Sequence, residues 1–397
     1  MDVGLDRLTK LPALVARLRS ARVGLLCHAA SVDRRLVHLI DIMASLGVSP
    51  AILFAPEHGF GAAAQDMATI GDEIEPETGA RIVSLYGAEL ADLIPQEADL
   101  RGLDVLVVDL QDVGSRYYTF VWTALLAVRA AARVGVHVVL LDRPNPLGRA
   151  TEGRSQEPGF TSFVGWELIP IRHGLTLAEI VSHFAASDGL PLGPSAAVSV
   201  VSVDGWDGTR EGALDRPWVL PSPNMPTADT ALVYPGGCLL EGTNLSEGRG
   251  HTRPFEVFGA PWLDGRALAR AFAELGMEGQ AVRPLTFIPT FHKHGGVPCG
   301  GVEVHPLDAR FRPVAVYTAL IALAARLAPR DFAFRTERYE FVDDVPAFDL
   351  LTGSARTRQA ILAGEDVRAL VAAVSEVDDA GREVARAALR ASVAASW

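Results

Sequence analysis

The feature that most constrains this chain is the alternation, in its first half, of short apolar runs with segments of helical periodicity. The runs are Val23–Cys27, Ala51–Ala55, Ile82–Tyr86, Val105–Leu110 and Val136–Leu141. Most of them end in polar or turn residues, as buried strands do. Between them lie periodic stretches such as Arg34–Leu46 and Tyr118–Arg133; the second places Phe120, Ala124, Ala127, Val128 and Ala131 at helical spacing. Strand–helix–strand repetition of this kind predicts an α/β fold: a Rossmann-like, mostly parallel sheet with helices on both faces.

Open sheets of that type bind ligands beyond the carboxyl ends of their strands. The polar residues that follow the predicted strands are His28, Glu57, His58, Asp109, Gln111, Asp112, Asp142, Arg143 and Asn145. Their collection at one end of the sheet predicts a site there. No Gly-x-Gly-x-x-Gly follows the first strand and no Walker A string occurs, so the expectation is a site without a nucleotide or other cofactor.

From about Pro221 the texture changes. Pro221, Pro223, Pro226, Pro235, Pro254 and Pro261 mark loop-rich chain, and Gly236, Gly237, Gly242, Gly248 and Gly250 make part of it glycine-rich. Beyond it the pattern predicts a helix over Gly265–Leu275, strands near Leu285–Pro289 and over Val302–His305, and a helix over Val314–Leu327. The tail from Thr357 to Ser396 reads as helices with one Gly break. The division expected is a Rossmann-like catalytic domain over 1–222 and a smaller α+β domain over 223–397 that closes a cleft.

A formal net charge of −12 argues against a partner held by bulk electrostatics on nucleic acid. It leaves room for an anionic sugar in a locally basic pocket. Cys27, Cys238 and Cys299 are too few and scattered for a disulfide framework or a zinc site, and read as buried thiols. Met1 to Ser20 carries charges throughout with no apolar core, so it does not read as a signal peptide. The expectation is a cytoplasmic protein as the chain stands, or a periplasmic or secreted one if a leader has been removed. Pro313 to Ala325 is too short to span a bilayer, and no membrane partner is expected. The pattern says nothing of oligomeric state.

Several strings can then be read together: Phe54-Ala-Pro-Glu-His-Gly-Phe60, Asp104-Val-Leu-Val-Val-Asp-Leu-Gln-Asp-Val-Gly114, Leu141-Asp-Arg-Pro-Asn-Pro146, Pro221-Ser-Pro-Asn-Met-Pro-Thr227, Glu241-Gly-Thr-Asn-Leu-Ser-Glu-Gly-Arg-Gly250 and Thr252-Arg-Pro-Phe-Glu256. With Glu157–Gly165 and Pro170-Ile-Arg-His-Gly174, they resemble the NamZ family of bacterial exo-β-N-acetylmuramidases from about Gly4 to the tail. The resemblance implies a Rossmann-like amino-terminal domain, a smaller carboxyl-terminal domain and a site in the cleft between them. It also implies removal of terminal β-1,4-linked N-acetylmuramic acid from non-reducing ends of peptidoglycan fragments. The chain departs from the family pattern at Ala55, where a Gly is usual, and at Gly61 and Ala63, where an Arg and an Asp are usual.

Glycoside hydrolysis needs a proton donor to the leaving oxygen and either a base for water or a nucleophile. Glu57, between Pro56 and His58 and just after a strand, is the expected acid, and the resemblance points to the same residue. The second group stays open among Asp109, Asp112 and Asp142 after the central strands, Glu241 and Glu247 from the second domain, and the substrate's own acetamido group. The lactyl carboxylate of muramic acid calls for a guanidinium fork, with Arg116, Arg143, Arg249 and Arg253 as candidates. Tyr117 can stack on a sugar, with Tyr118 as the alternative. Gln111, Asn145, Asn224 and Asn244 can bind hydroxyls or the acetamide, and His58 or His173 can tune Glu57 by a hydrogen bond. His292 and His294 would share a face on a strand, but without acids at ligand spacing no metal is expected. Two other classes remain: a non-catalytic sugar-binding protein, motivated by Gly61 and Ala63, and a metal-dependent hydrolase using Asp109, Asp142 and a histidine.

Overall fold

The computed structural model describes residues 1–61 and 73–397. Its strands are β1 (Val23–Cys27), β2 (Ile52–Ala55), β3 (Glu73–Ile74), β4 (Arg81–Ser84), β5 (Val105–Asp109), β6 (His137–Leu141), β7 (Val198–Val201), β8 (Val257–Ala260), β9 (Gln280–Phe287) and β10 (Cys299–Pro306). Among the described residues, seven strands form one sheet in the order β3-β4-β2-β1-β5-β6-β7, and three form another, β8-β10-β9. In the large sheet β3 alone is antiparallel; the six other strands are parallel. Strand order therefore reverses direction between β1 and β5, the doubly wound arrangement in which the switch point opens a crevice.

The two-residue period of the strands sorts their side chains between two faces. Leu25, Cys27, Leu53, Val105, Val107 and Val139 pack with Leu5, Leu8, Leu14, Leu39 and Met43 on one side. Leu26, Phe54, Leu106, Val108, Val138 and Leu140 face the other side, with the helices Phe120–Arg133 and Leu177–Ser187. That second cluster continues without a break into Val302, Val304, Tyr317 and Leu320 of the smaller sheet and the helix Pro313–Leu327. The two sheets thus share apolar core. Between them Glu152 accepts the Ala315 backbone N–H at 2.8 Å, capping that helix from a distant loop. The last helix, Asp379–Ala395, returns to pack on Leu177–Ser187, and the Trp397 N–H donates to Val200 O of β7.

The five predicted strands of the first half are present. The helix expected over 34–46 begins only at Leu39. Asp33 accepts backbone N–H bonds from Arg35 and Val37, at 2.8 and 2.9 Å, and this local turn holds residues 33–38 out of the helix. The periodicity at 118–133 likewise becomes helical only at Phe120, with Tyr117 and Tyr118 preceding it. The strand expected near 285–289 lies five residues earlier, over β9, where pairing with β10 sets its register and its edge position tolerates Pro284. The tail has a second break, at Asp378, whose side chain caps the final helix through Gly381 N–H. The sequence pattern predicts none of β3, β7 and β8.

Candidate active site

Glu57 leaves β2 through a tight turn. The Gly59 N–H donates to Pro56 O at 3.1 Å, and His58 takes φ 73°, a conformation that glycine adopts most easily. The strained turn carries Glu57 across the sheet end to the start of the helix Phe120–Arg133. There the Thr119 hydroxyl donates to Glu57 Oε2 at 2.8 Å. Glu57 is 6% exposed, and it opens into a pocket walled by both parts of the chain.

The first part supplies His58, Tyr117, Tyr118 and Thr119 to that pocket, and the second supplies Asn224, Tyr234, Glu241, Arg249, Phe255, Tyr339 and Glu340. The pocket is narrow, with a cavity volume of about 20 Å³. Tyr118 packs tilted against Phe120, ring centroids 4.7 Å apart, and stands edge-on to Tyr234 at 6.0 Å. Burial first, then the negative charges of Asp112 and Glu57, push the Tyr118 phenol well above its ordinary value, against a hydrogen bond with Ser222. Its hydroxyl therefore stays protonated at neutral pH.

The opposite wall is built on Arg249. Its Nη2 donates to Glu241 Oε1 at 2.6 Å, its Nε lies 3.2 Å from Glu247, and its guanidinium lies over the Phe255 ring at 5.2 Å. The Tyr339 hydroxyl donates to the other Glu241 oxygen at 2.7 Å. Behind Arg249, Glu247 is fully buried, with His292 Nδ1 at 2.9 Å and Lys293 Nζ at 3.0 Å. Burial alone would raise this carboxyl, but Lys293, His292 and Arg249 outweigh it and hold Glu247 far below the usual carboxylate range. The loop can bend this closely because Gly248 has φ 77° and a Cβ there would meet Val257 O at 2.2 Å.

The remaining predicted residues lie elsewhere. Asp109 and Arg143 are joined to each other by a two-pronged buried pair, 2.5 and 2.7 Å. Asp142 accepts from Thr176 Oγ1 and Ala178 N, capping the helix Leu177–Ser187; burial and then Glu179 push it up to about 7. Asp112 accepts from Gly114 N at 2.8 Å, lies 3.3 Å from His173 Nε2 and does not line the pocket. Gln111 donates its side-chain amide to Asp112 O and its backbone N–H to His28 Nε2. The His28 ring is held neutral, pushed down to about 3 by burial and then Arg143.

Arg116, an expected sugar-binding group, is turned inward and donates to the carbonyls of Arg154, Ile169 and Leu351. Asn145 supports its own turn through Leu147 N and also bonds Leu175 O, while Asn244 ties its loop to Asp331 O and Ala333 N. Arg253 pairs with Glu256 and Glu303, half exposed. His292 and His294 both have positive φ outside any strand, and His294 turns to Asn244 O, so they do not share a strand face. Among the described residues no three His, Cys, Asp or Glu side chains gather as a metal site. Gly61 follows the Glu57 turn; Ala63 lies outside the described residues.

At the switch point, residues Leu214, Arg216 and Trp218 face Ala30, Gln111 and Arg143 across a narrow gap. The crevice where such sheets seat a dinucleotide is thus occupied by the chain's own loop, and the open pocket lies to one side, at Glu57. Sequence reasoning missed Glu340, Tyr234 and Tyr339 as pocket residues. Tyr234 sits in the apolar run before Pro235, and nothing in Tyr339-Glu-Phe-Val342 signals a turn.

A doubly wound α/β sheet with a carboxylate- and tyrosine-lined pocket beside its switch point defines a protein equipped for acid–base work on a small polar ligand. Residues 23–229 match the family described as exo-beta-N-acetylmuramidase NamZ, N-terminal, and residues 232–386 match its C-terminal counterpart, so the chain belongs to the NamZ family. It is 36% identical over 375 residues to the peptidoglycan beta-N-acetylmuramidase NamZ of Bacillus subtilis (strain 168), covering 94% of this chain and 86% of that one. Two crystal structures of DUF1343 family proteins from Bacteroides fragilis NCTC 9343 are similar along the whole chain. One has a TM-score of 0.83 at 27% identity, covering 98% of this chain and 97% of that one. The other has a TM-score of 0.67 at 26% identity, covering 99% and 98%.

Proposed function

We propose that this protein is an exo-β-N-acetylmuramidase. It removes terminal N-acetylmuramic acid from the non-reducing ends of peptidoglycan fragments, with Glu57 as the acid that protonates the leaving oxygen. Family membership and the activity of the Bacillus subtilis relative support the reaction class. The observation that carries the residue assignment is the setting of Glu57. A strained turn and the Thr119 hydroxyl hold one buried carboxyl at the mouth of a pocket that the parts before and after residue 222 build together.

Arg249 is the guanidinium that meets the lactyl carboxylate, because of the four arginines considered it is the one lining the pocket. Glu241 and Glu247 already fix the plane of the guanidinium, so little side-chain freedom is lost when it meets a ligand. Tyr118 and Tyr234 give the wall an aromatic surface against which the sugar ring packs, and Asn224 offers an amide for its polar substituents. The test is product identity. Given MurNAc-β-1,4-GlcNAc and, separately, GlcNAc-β-1,4-MurNAc, the protein should release free sugars from the first only. Binding of the first without release would leave a sugar-binding protein.

A further inference from the structure

Tyr339 and Val342 close a two-residue hairpin: each backbone N–H donates to the other's carbonyl at 3.0 Å. Both residues in the turn have positive φ, 45° at Glu340 and 68° at Phe341. Hairpin turns with two positive φ angles form most readily from Asn-Gly, because an L side chain there brings its Cβ against the following carbonyl. Glutamate and phenylalanine are poor residues for that task. Backbone in such regions persists where its surroundings over-determine it, and it concentrates at functional sites.

The surroundings here fix the turn residue by residue. Tyr339 is tied to Glu241 through its hydroxyl. Phe341 sets its ring edge-on to Tyr86 at 5.9 Å and to Phe163 at 6.2 Å, anchoring the turn on the first part of the chain. Between these anchors Glu340, 6% exposed, lines the same pocket as Glu57. The pocket's other carboxylate, Glu241, orients Arg249. Asp109, Asp112, Asp142 and Glu247 do not line the pocket. The turn thus holds a glutamate, against backbone strain, in the wall of the pocket that Glu57 also lines.

We propose that Glu340 is the second catalytic carboxylate, the base for the attacking water; the assignment rests on the muramidase reading of the pocket. In the step it serves, the water oxygen bonds to the anomeric carbon and the bond from that carbon to the leaving oxygen breaks. Glu57 gives its proton to the leaving oxygen, and Glu340 takes one from the water. Exchange with solvent then restores both groups.

The test compares wild type, Glu340→Gln and Glu340→Gly on MurNAc-β-1,4-GlcNAc, with thermal midpoints for all three. Glu340→Gln should lower kcat by about 10²- to 10⁴-fold, the range for a lost acid or base, and remove the acidic limb of the kcat–pH profile. Glu340→Gly, which suits a positive φ, should lose the same activity with a midpoint no lower than that of wild type by more than about 3 °C. A Gln variant with kcat within about threefold of wild type would overturn the assignment. So would a Gly variant whose midpoint falls in step with its activity. If folded wild type does not cleave the disaccharide, the muramidase reading fails and the role of Glu340 fails with it. If wild type and Glu340→Gln cleave it at rates within about threefold of each other, the role of Glu340 fails alone.

Discussion

Arg143 grips Asp109 with two parallel hydrogen bonds, Nε to Oδ1 at 2.5 Å and Nη2 to Oδ2 at 2.7 Å, and neither residue reaches solvent to any extent. The Arg143 Nη2 also donates to Val32 O at 3.1 Å, so the pair ties the ends of β5 and β6 to the loop after β1. Removing one partner strands a buried charge, which costs about 3–5 kcal/mol. Arg143→Ala should therefore lower the unfolding free energy by about that amount in urea titration. The protein that remains folded should keep kcat near wild type, because the pair lies outside the pocket. A large fall in kcat with little loss of stability would place Arg143 in the reaction.

Glu152 gives the chain a pH-dependent stability. Burial pushes its carboxyl up to about 7, against the Ala315 N–H and Arg312, whereas the ordinary value is 4.5. Between those values the folded state holds a proton that the unfolded chain has lost, so this group lowers stability as pH rises through the window. Glu152→Gln keeps an acceptor for the Ala315 N–H and cannot ionise. Relative to wild type, the variant should gain stability from pH 5 to pH 7, as read from urea midpoints. Parallel midpoints across that range would mean that Glu152 does not titrate there.

Arg249→Lys keeps the charge beside Glu241 and Glu247 and removes the planar fork. A charge-assisted hydrogen bond is worth about 1.5–3 kcal/mol, so KM for a muramic substrate should rise by about 10- to 100-fold. Weak turnover of the matching N-acetylglucosaminide, which has no lactyl group, should change little. Equal losses on both substrates would show that Arg249 supports the fold of the pocket and does not read the carboxylate.

The sheet was legible because β1, β2, β5 and β6 are buried on both faces and so read as continuous apolar runs, while β4 shows only its buried Ile82 and Val83 between exposed Arg81 and half-buried Ser84. Glu57 was legible because Pro56 and Gly59 mark the turn that exposes the strand end. What the strand-end rule could not see is which polar residues would bond one another. Asp109 and Arg143 are 34 positions apart, and Arg116 spans 235 positions to Leu351, so their pairing is tertiary. Glu340 was hidden for the opposite reason. Its turn lacks Asn and Gly, and the strain that marks it exists only in the folded backbone.

The assignment of Glu57 is tested most directly by its isosteric amide. Wild type and Glu57→Gln should be compared on a chromogenic β-N-acetylmuraminide, with the N-acetylglucosaminide as control and thermal midpoints for both proteins. The account predicts selective turnover by wild type and a loss of about 10²- to 10⁴-fold in the variant at an unchanged midpoint, since Gln still accepts the Thr119 hydroxyl but has no proton to give. A folded Glu57→Gln protein that turns over the muraminide at the wild-type rate would contradict it.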